Sequence, residues 1–210
     1  LLLSTYPFQT GRGVMKAAIL AGMLLPAVAV GVSAAPVVLN PGFEAPVLAD
    51  GANSGSPTFW VVVNPGFDVG LFNPTSSSYT LHNPLSAPAA GQNVGYIGNG
   101  GGSLCQAVGG VIQVGNTYTL TVAIGRRADV GTFPGYAIEI RATTSGNVKA
   151  TSSSANPAAG TFVNAVASFT AVSDADTGSA LTVCLTGVGQ QTNFDEVSLT
   201  PVELTSFSVE

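Results

Sequence analysis

Apolar and polar residues alternate with a period of two through much of the chain. Tyr118, Leu120, Val122 and Ile124 share one parity, and Thr117, Thr119, Thr121 and Ala123 the other, which is the pattern of a strand buried on one face. The same alternation runs through 135–142, with Tyr136, Ile138 and Ile140 inward and Glu139 and Arg141 outward, and through 161–171 along Val163, Ala165, Ala167 and Phe169. Shorter apolar runs at 37–39, 59–63, 94–97, 103–108, 181–185 and 193–199 complete the set. Clusters of Gly, Pro, Asn and Ser divide them, and no stretch beyond residue 35 keeps a helical period. The pattern predicts an all-β fold, an antiparallel β-sandwich of the jelly-roll kind, occupying 35–200. In its closing strand, Asp195 has the parity of Val197 and Leu199. That places an acid on the core face, where a carboxylate needs donors or a cation.

The N-terminal stretch has a different character. Met15 and Lys16 precede an apolar run from 17 to 32, and small residues follow at Ser33 and Ala34, the layout of a secretory signal peptide with cleavage expected after Ala34. Pro26 and the many Ala and Gly residues argue against a membrane anchor, because a stable span wants about 20 strongly apolar residues. Residues 1–34 are therefore expected to be upstream sequence and leader, and 201–210 a tail or linker. The mature chain is expected to be secreted or displayed at the cell surface, with no membrane span.

Charge narrows the partners. Six basic residues stand against eleven acidic ones, and Arg12 and Lys16 would leave with the leader. Four scattered cations form no basic face, which excludes nucleic acid as an expected partner.

Turn chemistry supplies the next landmarks. Asn40, Pro41, Gly42, Phe43 and Glu44 form a firm turn signal, echoed at 64–68 with Asp68 in place of the glutamate. Residues 72–92 are rich in Pro and Ser, contain Tyr79 and His82, and read as a long loop of the kind that carries binding groups. The glycine run at 98–102 lacks the lysine and the following helix of a phosphate loop. Cys105 and Cys184 each sit in a strand-like run, on the opposite parity from the large aliphatics. In an exported protein a disulfide between them is the expectation, two free thiols the alternative.

Taken in order, the 40–44 turn, Trp60, Gly91-Gln92-Asn93-Val94, Gln106, the run 115–120 and the closing Phe194-Asp195-Glu196-Val197-Ser198-Leu199 resemble the galactose-binding-like jelly rolls. The carbohydrate-binding modules of bacterial glycosidases, and related exported bacterial proteins, belong to that group. The resemblance implies a structural calcium tying first strand to last, held by Glu44 and Asp195 with oxygens near Asn40; calcium accepts such mixed oxygen sets. The alternative is that both acids accept backbone hydrogen bonds. The resemblance also implies a sugar site using Trp60, Tyr79, Phe133 and Tyr136 as stacking faces, with Asn93, Gln106 and Arg126 reading hydroxyls.

No catalytic set stands out. Asp195 and Glu196 are adjacent in a strand and face opposite sides, Asp174 and Asp176 sit in a turn-like loop, and His82 has no serine elbow beside it. The expected function is thus a noncatalytic module binding a polysaccharide or cell-surface glycan, with no oligomeric state implied. The alternative is a structural matrix or adhesin-type surface protein.

Overall fold

The computed structural model describes residues 34–63 and 68–203. The expected leader up to residue 33, the second Asn-Pro-Gly-Phe turn at 64–67 and the tail from 204 lie outside these residues. Eleven strands are present: β1 (Asn53–Ser54), β2 (Val61–Val63), β3 (Val69–Phe72), β4 (Val94–Ile97), β5 (Gly102–Val111), β6 (Thr117–Arg126), β7 (Tyr136–Ala142), β8 (Val148–Ser152), β9 (Thr161–Thr170), β10 (Ala180–Gly187) and β11 (Thr192–Val202). Two antiparallel sheets, ordered β1-β3-β4-β11-β6-β9 and β2-β5-β10-β7-β8, form a sandwich. There is no helix among the described residues, and so none long and apolar enough to cross a membrane.

The main core lies between the sheets. Leu120, Val122 and Ile124 of β6 meet Ile138 and Ile140 of β7 and Leu181, Val183 and Leu185 of β10, all fully buried. Outside the core, on the opposite parity of β5 and β10, Cys105 and Cys184 stand directly opposite each other and are bridged.

The six-stranded sheet is covered on its other face as well. The segment between β3 and β4 folds back over it, and Tyr79, Leu85 and Ala89 from this segment pack on Phe72, Val94, Tyr96, Ala123 and Phe162. This second cluster is why both faces of β3 and β4 are buried. The run at 37–39 forms no ladder, although Val37 N–H donates to the Val108 carbonyl.

β11 holds the fold's most consequential irregularity. Phe194 faces the main core, but so do Val197 and Leu199. Parity is broken because Asp195 is in register with Ala123 and Ser198 with Thr121, so three steps on β11 match two on β6. The extra residue is Glu196, at φ 46°, and such a bulge re-aims the side chains before it. Asp195 therefore does not share the core face with Val197 and Leu199, as simple alternation implies; it points with Asn193 to the outer face, under the covering segment.

Candidate functional site

The outer face of the six-stranded sheet carries two transverse rows beneath this cover. One crosses Tyr96 of β4, Asn193 of β11, Gly125 of β6 and Phe162 of β9, each in register with the next. The neighbouring row pairs Phe72 of β3 with Val94 of β4, and Asp195 of β11 with Ala123 of β6. Glycine at 125 is what lets aromatic rings settle on this floor. A Cβ there would lie 2.4 Å from the Phe162 ring and 2.6 Å from the Tyr79 hydroxyl. Tyr79 stacks on Phe162 at 4.5 Å between centroids, and Phe72 meets Tyr96 edge to face at 6.3 Å.

Three polar groups sit inside this apolar setting. The Tyr79 hydroxyl donates to Asn193 Oδ1 at 2.8 Å, and burial pushes its pKa well above the usual tyrosine value. Asp195 is 0% exposed. Its Oδ2 accepts the Ala90 N–H at 2.9 Å and its Oδ1 the Glu196 N–H at 2.8 Å. Among the described residues no cation pairs with it. Burial is the main cause that raises its pKa from 3.8 to about 8, with the charges of Glu196 and Glu44 adding to it and the two backbone bonds opposing it. At neutral pH the carboxyl is accordingly in its acid form, on the same covered sheet face as the aromatic cluster.

One end of the site is closed by Arg127. Its guanidinium lies 4.9 Å over the Phe72 ring and donates to Asp129 at 2.8 and 2.7 Å and to Gln191 at 2.5 Å. Asp129 in turn accepts from the Ser77 and Ser78 hydroxyls of the covering segment, and the arginine holds its carboxyl below the ordinary value. Beside this cluster, Asp68, Gly98, Asn99, Asp129, Gly131 and Gln191 line a cavity of about 250 Å³.

The residues read from the sequence as sugar ligands are dispersed. Trp60 is in the main core, stacked on Phe43 and donating to the Asn40 carbonyl. Tyr136 is also buried there, with its hydroxyl accepting the Ala155 N–H and the half-buried Phe133 ring 6.1 Å away. Gln106 is fully engaged with Leu39 and Phe59. Asn93 is buried and donates to the Phe43 and Pro46 carbonyls, while Arg126 at the end of β6 donates to the Gly131 carbonyl. Only Tyr79 lies beside Asp195. Asn193, Phe72, Tyr96 and Phe162 were not singled out from the sequence; a polar residue at the parity of Asp195 was the available signal for Asn193.

The expected metal residues are likewise engaged. Glu44 Oε1 accepts the Gln92 and Asn93 N–H groups at 2.9 and 3.0 Å, and the Asn40 side chain clasps Ala45 and Thr58. Among the described residues, no group of three or more His, Cys, Asp or Glu side chains is arranged to hold a metal ion.

Comparison with known proteins corrects the expected kinship. No curated protein matches the chain in sequence. An apo cyclase from Fischerella sp. is similar at 25% identity and a TM-score of 0.70, covering 83% of this chain and 98% of the cyclase. The Stig cyclase Fisc from Fischerella sp. TAU, in complex with (3Z)-3-(1-methyl-2-pyrrolidinylidene)-3H-indole, superposes at TM-score 0.70 with 23% identity over 82% of this chain and all of its own. A cyclase from the same source bound to 4-(1H-indol-3-yl)butan-2-one gives 0.68 at 24% identity, covering 83% and 100%. The HpiC1-like family, described as HpiC1 cyclase, matches residues 34–200. This match overturns the expected membership among galactose-binding-like carbohydrate-binding modules, and with it the noncatalytic function, the matrix-protein alternative and the polysaccharide partner. Shared turns and a closing Phe-Asp strand had suggested those modules because they mark the sandwich rather than its ligand. With a buried acid on an aromatic floor and a family match spanning almost every described residue, the chain belongs to the HpiC1 cyclase family.

Proposed function

We propose that the protein is a cyclase that closes a ring in an indole-bearing molecule with an unsaturated side chain, and that Asp195 is the acid that starts the reaction. The observation that carries this reading is the placement of Asp195: fully buried, paired with no cation among the described residues, in register with Ala123 on the covered sheet face that also holds Phe72, Tyr79, Tyr96 and Phe162. A carboxyl kept neutral by an apolar site has a proton to give at pH 7. Protonating an alkene carbon leaves a cation on the adjacent carbon. The indole ring attacks it, the new C–C bond closes the ring, and loss of a ring proton regenerates the aromatic system. The Asp195 carboxylate takes a proton back, so the sum is an isomerisation that needs no co-reactant. The aromatic faces around the site favour the passing cation and exclude the water that would trap it. The family match and the indole ligands of the Fischerella cyclases support this substrate class.

Asp195 lies under the covering segment and accepts its Ala90 N–H, so a group that reaches this oxygen competes with that bond. Asp195 and Glu44 accept backbone N–H bonds and keep further lone pairs with which carboxylates bind metals; calcium held by Asn40 and Glu44 is compatible with the acid's role, whereas a cation on Asp195 itself would hold it ionised, against that role. The bridged Cys105–Cys184 pair and the leader-like N-terminus support a place outside the cytoplasm.

The test is to incubate the protein in D2O with 3-alkenyl indoles and follow ring closure. The expected product carries deuterium at the carbon that received the proton, and Asp195→Asn abolishes its formation while the fold is kept. Undiminished turnover by Asp195→Asn would sink the assignment.

A further inference from the structure

Asn193 poses an accounting problem. It is 0% exposed, and its Oδ1 is taken by the Tyr79 hydroxyl, yet Nδ2 has no partner. Turning the amide over does not help, because the Tyr79 proton and the amide oxygen would then both be unmatched. A buried donor left unpaired is costly and rare in native proteins. Here it stands on the outer face of β11, two residues before Asp195 and about 7 Å from it along the strand, in register with Gly125, over which the Phe162 ring and Tyr79 hydroxyl settle. Gln191, two residues earlier at the same parity, also has an unpartnered Nε2, and it lines the 250 Å³ cavity at the rim. A row of unused amide donors thus runs from open space to the buried acid.

We infer that Asn193 is a specificity-determining residue of this site, and that its Nδ2–H donates to a hydrogen-bond-accepting group, such as a carbonyl or imine, that the substrate carries about 7 Å from the atom facing Asp195. The inference rests on the proposed indole site. Tyr79 is the positioning residue: by donating to Oδ1 it fixes the amide with its NH2 toward the substrate. The bonus for a ligand that satisfies this donor is large because a ligand lacking the acceptor leaves it buried and unpaired.

The test compares 4-(1H-indol-3-yl)butan-2-one with 3-butylindole, which differs only in lacking the carbonyl. Titration calorimetry on the wild-type chain is expected to show the ketone binding about 10- to 100-fold more tightly. In Asn193→Leu the preference is expected to shrink to about threefold or less, with the affinity for 3-butylindole kept. A second readout is independent of that variant's folding: in ¹⁵N-labelled wild type, the Asn193 side-chain amide signals are expected to move on adding the ketone but not 3-butylindole. Equal affinities in the wild type, or an Asn193 signal indifferent to the ketone, overturn the inference and leave the indole site standing. If neither compound binds, the proposed function falls and the inference falls with it.

Discussion

Replacing Asp195 with asparagine separates the roles this carboxyl has in stability and in chemistry. In the unfolded chain it titrates at 3.8, in the fold at about 8. Between these values the unfolded chain gives up a proton that the folded one keeps. Unfolding therefore becomes easier as pH rises from about 4 to about 8, and the effect levels off above. Each pH unit in that window is worth about 1.4 kcal/mol, so at pH 7 the acid lowers stability by roughly 4 kcal/mol, and between pH 5 and pH 8 the effect grows by roughly 3–4 kcal/mol. Asparagine does not titrate but meets one of the two backbone N–H groups with its own NH2, a penalty of about 1–3 kcal/mol at any pH. At pH 5 the variant is expected to equal the wild type or fall below it. At pH 8 it is expected to be the more stable by roughly 2–4 kcal/mol. Urea unfolding at the two pH values, taken as a difference between the proteins, cancels every other titrating group. A difference that stays flat from pH 5 to pH 8 refutes the claim that Asp195 is held neutral, and removes the physical basis for its acid role.

Three further outcomes are expected. Gly125→Ala pushes a methyl group against Phe162 and the Tyr79 hydroxyl, so chemical denaturation should show a loss of about 1–3 kcal/mol, with indole binding weakened beyond what the same loss elsewhere causes. Reducing the Cys105–Cys184 bridge, whose ends are 79 residues apart, releases a long loop in the unfolded chain and should lower stability by about 4 kcal/mol on chain-entropy grounds, measured by unfolding with and without reductant; no change would show that the unfolded chain is compact in this region. Adding calcium to the chelated protein should not lower Asp195-dependent turnover; a fall as calcium rises would put the cation on Asp195 and take it out of the acid's role.

Strands β6, β7 and β9 were legible in the sequence because each buries one face and wets the other, which writes the period of two into the residues. β3 was missed for the opposite reason: Val69, Gly70, Leu71 and Phe72 are all buried, so nothing alternates. β8 was missed because it is a thin edge strand with Lys149 in it and no fully buried residue. The cover of residues 73–93 reads as a solvated loop from its Pro and Ser content, and its burial depends on the sheet beneath it, which local composition does not encode. The sequence marks Asp195 as an acid in need of donors or a cation, but a glutamate is an unusual residue to hold a left-handed bulge, and without it the acid's direction comes out reversed. The function was hidden by the same cause. Counted by parity, Asp195 is a structural group between sheets; with Glu196 in place it lies on the covered outer face, where the proposed reaction needs it.

That bulge also partitions what mutation can reach. Downstream of Glu196, Val197 and Leu199 answer to the packing between the sheets, while upstream Asn193 and Asp195 answer only to the covered outer face. Drift in core packing can thus proceed without swinging the acid. Loss of one residue at 196 would do the reverse, because it would restore the count and drive either the acid or the aliphatics to the wrong side. The strand is less tolerant of a change in length than of a swap between aliphatics of like volume, so relatives that keep this chemistry are expected to exchange one aliphatic for another at 197 and 199 while keeping the number of residues between Phe194 and Leu199.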